Sequence, residues 1–401
     1  MSKRNESRRE LRATDAIIEY DIHGLVGIRL VNPTEKDAAA VARQLGPLRG
    51  DLVREPDIIV RFVRHLPLDD LHYLGLNKVG YDQNGFYILR SSKKDVRVRL
   101  AFDQIGERVE ILCQSGVKSV PHLLAILNLM LLKKDVVALH ASAFVFDGTG
   151  IIVTGWAKGG KTEALLSFAA HGGEYVGDEW IYLSADGERM YGIPENIRLW
   201  DWHLDNLPHL KGKLNFEKKA LFGTVHALDR MQRRLPEAGL GNAMPLKFLR
   251  EAMPALRRQL NVQLPPQVIF EKCSETFSAR PDRVFMLISH AGPEYSVEPV
   301  EASEIARRMI ASLQFELMPF MESYTAFKFA FPEKASEFVE TAHEWQSEIL
   351  SRALENKQAY VVKHPYPLSF EALYDAMRPF CQVRSNGTAA EDTQNQRLVA
   401  N

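Results

Sequence analysis

The sequence predicts an α/β protein in which a P-loop core with a mixed sheet follows a smaller α+β accessory domain. Three observations carry that expectation. A strand signal at Ile151-Ile152-Val153 runs straight into a glycine-rich turn, a helix and a second strand. Before Pro121, short β-branched runs separated by turn signals surround a single helical stretch. The 401 residues carry 46% hydrophobic and 25% charged side chains, ordinary usage for a chain that buries a core, which excludes disorder and collagen-like repeats.

Charge is balanced at 50 Lys plus Arg against 51 Asp plus Glu, a net of −1, so no global field draws the chain onto nucleic acid or an anionic membrane. Neither is expected as a partner. Cys113, Cys273 and Cys381 form no close pair and no CxxC spacing, which argues against zinc and disulfides and for a reducing, cytoplasmic compartment. The basic stretch at the start has no apolar segment after it, unlike a secretory signal. Leu123–Leu132 is about half the ~20 residues of a membrane span and reads as a buried helix.

In chain order, residues 1–13 read as a disordered arm and 14–120 as the accessory domain, whose role the residues do not state. Ala16–Val31 is strand-like, and Thr34 opens a helix to Leu45. The runs DIIVRFV, GFYILRS, DVRVRLAFD and RVEILCQ suggest an antiparallel meander. Residues 121–384 form the core: the apolar helix, strands VALHASAFVF and GIIVTG, a helix KTEALLSFAAHG and a strand EYVGDEWIYLS. A mostly helical insertion is expected at about 205–260. Beyond it come strands at QVIFEK, DRVFMLIS, YSVEPV and QAYVVKHPYP, a helix over 333–356 and a last helix at FEALYDAMRPF. Residues 385–401 read as a disordered tail.

Gly155-Trp156-Ala157-Lys158-Gly159-Gly160-Lys161-Thr162 matches G-x-x-x-x-G-K-[ST], the P-loop. Its backbone N–H groups and the following helix start form a concave site for a di- or triphosphate. Gly155, Gly159 and Gly160 allow sharp turns and close approach, Lys161 brings a charge to the β/γ-phosphates, and Thr162 offers a hydroxyl to Mg²⁺. The alternative is a glycine-rich turn that binds nothing.

Such a site needs an acid near the metal and, where a hydroxyl is the acceptor, a base for its proton. Asp178 and Glu179, at the end of an apolar strand, offer both; alternatively they are solvated edge acids. Gly177 beside them marks a close backbone approach. His140, on the strand before the loop, reads either as a hydrogen-bonded core histidine or as a residue at the phosphate end.

The block Leu139-His140-Ala141-Ser142-Ala143 through Lys161-Thr162-Glu163, followed by His171-Gly172-Gly173 and Asp178-Glu179, resembles the HPr kinase/phosphorylase-like family, whose core shares its topology with phosphoenolpyruvate carboxykinases. The resemblance covers about residues 135–200 well and 267–300 loosely. It implies an ATP-dependent kinase acting on a serine hydroxyl, the first acid of the pair as base, Mg²⁺ across the phosphates, and His140 in the site. Lys158, Glu163 and Arg198 are expected with the loop residues around the nucleotide, and Thr162, Asp178 and Glu179 at the metal. Self-association is compatible with it. The chain departs from the family at Trp156 and Lys158, where small residues are usual, and at Glu179, where the family has Asp. The family's signature segment after the acids has no recognisable counterpart; Glu195-Asn196-Ile197-Arg198 is nearest, and Arg198 reads there as a phosphate ligand or a surface residue. The phosphorylase activity is not implied.

The stretch Asp205–Leu260 holds 11 Lys and Arg against five acids, a local +6. It suits a lid over the nucleotide, a surface for an anionic acceptor, or a solvated helical face. The expected function is Mg-ATP phosphotransfer to a hydroxyl of a protein, a peptide or a small molecule. Alternatives are a nucleotide sensor that signals to a protein partner and a carboxykinase-type reaction, for which no further metal ligands stand out.

Overall fold

The structure, a computed structural model, describes residues 16–76, 78–91, 94–214, 216–237, 251, 253–254, 256 and 260–382. The expected arm 1–13, the tail 385–401 and, within the basic insertion, Lys247, Arg250, Arg257 and Arg258 lie outside those residues. The chain is a mixed α/β protein with two large sheets.

The first sheet runs Ile17–Ile22, Val26–Val31, Ile58–Val63, Val109–Gln114, Lys94–Leu100, Gly85–Ser91, Val79–Asp82, His72–Leu74. It is not the plain antiparallel meander that the turn signals suggest. Ile58–Val63 is parallel to both of its neighbours, because the helix Glu35–Leu45 carries the chain back across the sheet before that strand begins. Thr34 and Asp37 cap the helix reciprocally, each side chain accepting from the other's backbone N–H.

In the second sheet Val136–Phe146 and Thr149–Gly155 form an antiparallel pair. Arg283–His290 and Gln358–Pro365 continue the sheet in parallel, and Ser296–Val300 closes the edge antiparallel. On the other side, Trp180–Ser184 and Glu174–Gly177 each pair with a different half of Val136–Phe146. Val136–Phe146 and Thr149–Gly155 are buried nearly throughout because both faces are covered. Leu139 and Ile152 pack towards the helices Leu123–Leu132, Ala302–Ala330 and Ala342–Leu354. Phe144, Ile151 and Val153 pack towards Lys161–Ala169 and Phe370–Met377.

Several local expectations change. The run at 174–184 is two strands, broken at Asp178-Glu179, where Glu179 takes φ 67°. QVIFEK is a helical turn over Pro266–Ile269 before a two-residue strand, since Pro266 at the first helical position presets φ. Within 333–356 the main helix begins only at Ala342, after a separate turn capped by Ser336. The 29-residue helix Ala302–Ala330 has no counterpart in the sequence reading; Pro319 inside it is the kind of residue that normally ends a helix.

The two sheets share one buried cluster, which extends from Tyr20 and Ile28 through Leu127 and Leu139 to Phe320 and Leu350. Among the described residues no helix is long and apolar enough to cross a membrane.

Candidate functional site

The strand Thr149–Gly155 ends in a turn whose backbone is held open by unusual torsions: Gly155 at φ 148°, Lys158 at 63° and Gly160 at 97°. Gly160 precedes the first helical residue, and no side chain caps the helix Lys161–Ala169 there, so its first N–H groups face the turn. At Gly160 an added Cβ would come 3.1 Å from a Leu368 methyl and 3.2 Å from His364 Nε2. His364, 1% exposed at the end of Gln358–Pro365, braces the turn: its Nε2 lies 3.1 Å from the Gly159 carbonyl oxygen.

Lys161 folds back over the turn, its Nζ donating to the carbonyls of Trp156 at 3.0 Å and Gly155 at 3.4 Å. Burial pushes this ammonium below its ordinary range, while Glu179, Asp178, Glu316 and Glu163 pull it back up. One buried cation thus stands among four carboxylates.

Asp178 is 5% exposed and accepts from the Thr162 hydroxyl, at 3.0 Å to Oδ2 and 3.3 Å to Oδ1. Burial, with the charge of Glu179, pushes its carboxyl up to about 7; the Thr162 hydrogen bond acts in the opposite direction. Glu179 goes the other way. The hydrogen bond with His140 Nε2 at 3.2 Å holds it below the usual carboxylate range, with Lys161 and Arg198 assisting and burial opposing. Two adjacent acids are therefore pushed in opposite directions, because one is enclosed and the other is paired.

His140 is buried and hydrogen-bonded, and it stands beside the acid pair, with Nε2 on Glu179 and the Trp180 ring 5.8 Å from its own. Its Nδ1 is 2.9 Å from Glu316 Oε1, but off the line of a hydrogen bond. Glu163 turns to His203, 1% exposed, whose Nε2 is 3.2 Å from Oε1. Burial raises the Glu163 carboxyl, and the His203 hydrogen bond and charge outweigh it. Arg198 sits exposed on Ile197–Trp200, and Lys158 is exposed at the turn. Gly177 does mark a close backbone approach: a Cβ there would meet Gly192 Cα at 2.7 Å.

Glu316, His364 and Glu195 have no assigned role in the sequence reading. Burial, then Glu179 and Asp178, push the Glu195 carboxyl up to about 8, and its Oε1 is buried without a hydrogen-bond partner among the described residues. Glu195 had a signal, its place in the segment after the acid pair; Glu316 and His364 had none, being 138 and 186 residues beyond Asp178 in the chain.

Among the described residues no group of three or more His, Cys, Asp and Glu side chains is arranged to enclose a metal ion. Magnesium at a phosphate site takes only one or two protein oxygens, with phosphate and water supplying the rest. Thr162 Oγ1 and Asp178 are a pair of hard oxygen donors in contact and fit that demand. No protein-family model matches the chain, and no curated protein matches it.

Proposed function

We propose that the protein is a Mg-ATP-dependent phosphotransferase, similar in its P-loop core to the HPr kinase-like family, that phosphorylates a hydroxyl, serine of a protein or peptide in the first instance. The observation that carries this reading is the buried Asp178 beside the glycine-rich turn, in contact with Thr162 and with its carboxyl near neutrality. A general base works best when its pKa lies near the working pH.

The turn and the uncapped helix start supply N–H groups for phosphate oxygens, and Lys161 is within a side-chain swing of the same place. Thr162 and Asp178 would hold Mg²⁺, with Glu179 beside them; the ion, when bound, neutralises phosphate charge. In the transfer step the acceptor oxygen forms a bond to the γ-phosphorus, the bond to the bridging oxygen breaks, and the hydroxyl proton passes to Asp178. His140, held between Glu179 and Glu316, positions the acid pair. Ser142 donates to the Lys161 carbonyl at 2.9 Å and ties the helix start to the central strand.

Incubation with γ-labelled ATP, Mg²⁺ and a cell lysate should place label on a protein or peptide, and Asp178→Asn should lower that transfer by roughly 10²-fold or more. Affinity for nucleotide measured without Mg²⁺ should stay close to that of the parent, since the turn and Lys161 are untouched. Label released only as free phosphate, or transfer undiminished in Asp178→Asn, would sink the assignment; the former outcome would point to a nucleotide sensor.

A further inference from the structure

The strands His72–Leu74, Val79–Asp82 and Gly85–Ser91 lie at the end of the first sheet that packs on the helix Ala302–Ala330, with Phe86 against Phe327, and a cavity of about 540 Å³ lies between them. That volume suits a small organic molecule, and a boundary between two parts of a chain is where such sites are common. Leu74, Val79, Ile88, Pro319 and Ala326 give it apolar walls. On the helix side Ser323 and Ala326 are short, which leaves the space open.

The inner polar groups are His122 and Ser323, with His122 Nε2 3.0 Å from Ser323 Oγ. Burial pushes the imidazole down to about 4, against the charge of Glu322, so at neutral pH it offers a hydrogen bond and no charge. The charged side chains stand at the outside. Lys78 and Glu322 neutralise one another at 3.0 Å, both more than half exposed. Arg90, exposed and also lining the cavity, makes no ion pair among the described residues. Among the described residues, an apolar hollow with a neutral interior therefore carries an uncompensated cation, Arg90, at its mouth.

We propose that this cavity binds a small amphipathic anion, its apolar body between Ile88, Val79 and Ala326 and its carboxylate, phosphate or sulfonate at Arg90. The site requires both parts of the chain, since strands of the first sheet supply one wall and the helix Ala302–Ala330 the other. It gives the accessory part a ligand-binding role that is independent of phosphotransfer.

Full-length protein titrated with 1-anilinonaphthalene-8-sulfonate should show saturable fluorescence, displaced by octanoate and by octyl phosphate but not by octylammonium. Ala326→Trp, which fills the hollow, should weaken the probe by about tenfold, and Arg90→Glu by about fivefold. Phe216→Ser, at an apolar side chain that is 85% exposed outside the cavity, should leave it unchanged. If Ala326→Trp does not fold, Arg90→Glu carries the test, because an exposed arginine tolerates replacement. Equal displacement by octylammonium, or probe affinity unmoved by Arg90→Glu, overturns the proposal.

Discussion

Asp178 and Lys161 are both buried, and in each burial is the leading cause of the shift away from the charged form. For Asp178 the sign of the stability effect follows directly. Its folded carboxyl, near 7, binds a proton more tightly than an unfolded one near 3.9. The native state therefore holds the extra proton between about pH 4 and 7, and stability declines as pH rises through that window and stays reduced above it. Asp178→Asn should raise unfolding free energy at pH 8 by on the order of 2 kcal/mol, with little change at pH 4, as read by urea denaturation at both values. Transfer should increase with pH through about 7 as the base loses its proton, and a rate flat from pH 5.5 to 8 would remove Asp178 from that role. His364→Ala should weaken nucleotide binding by about fivefold through the loss of one hydrogen bond to the turn, measured by calorimetric titration.

The turn and the acid pair owe their placing to strands that stop where backbone geometry stops them. Glu174–Gly177 and Trp180–Ser184 look like one strand because apolar residues flank the acids on both sides. What breaks them is the packing of Gly177 on Gly192, with a register shift against Val136–Phe146. Gly177→Ala should destabilise the protein by about 2 kcal/mol, since Gly192 backbone and the Ile181 methyl, both at 2.7 Å from the added carbon, leave it no room. Thermal melting that matches the parent would contradict this packing. The helix Ala302–Ala330 did have a legible pattern. Met309, Leu313, Phe320, Tyr324 and Phe327 recur at helical spacing, with Glu316 on the same line, and Pro319 masks the continuity.

At the scale of the whole molecule, the cluster running from Tyr20 to Leu350 couples the accessory sheet to the core. Calorimetry should accordingly give one cooperative transition, and a chain beginning at residue 121 should be insoluble, because it bares Ile126, Leu127 and Phe320. Two resolved transitions would show that the parts fold separately. The loop, its lysine and hydroxyl, the acid pair and most strands could be read from the chain, because each rests on neighbours within one turn or one strand. His364, Glu316 and the cavity could not. They arise where Gln358–Pro365 lies parallel to Arg283–His290, itself parallel to the strand that ends in the loop, and where the long helix spans both sheets. Parallel pairing joins residues across long crossovers, so what stands beside the glycine-rich turn is set by packing between distant segments, and no local pattern records it.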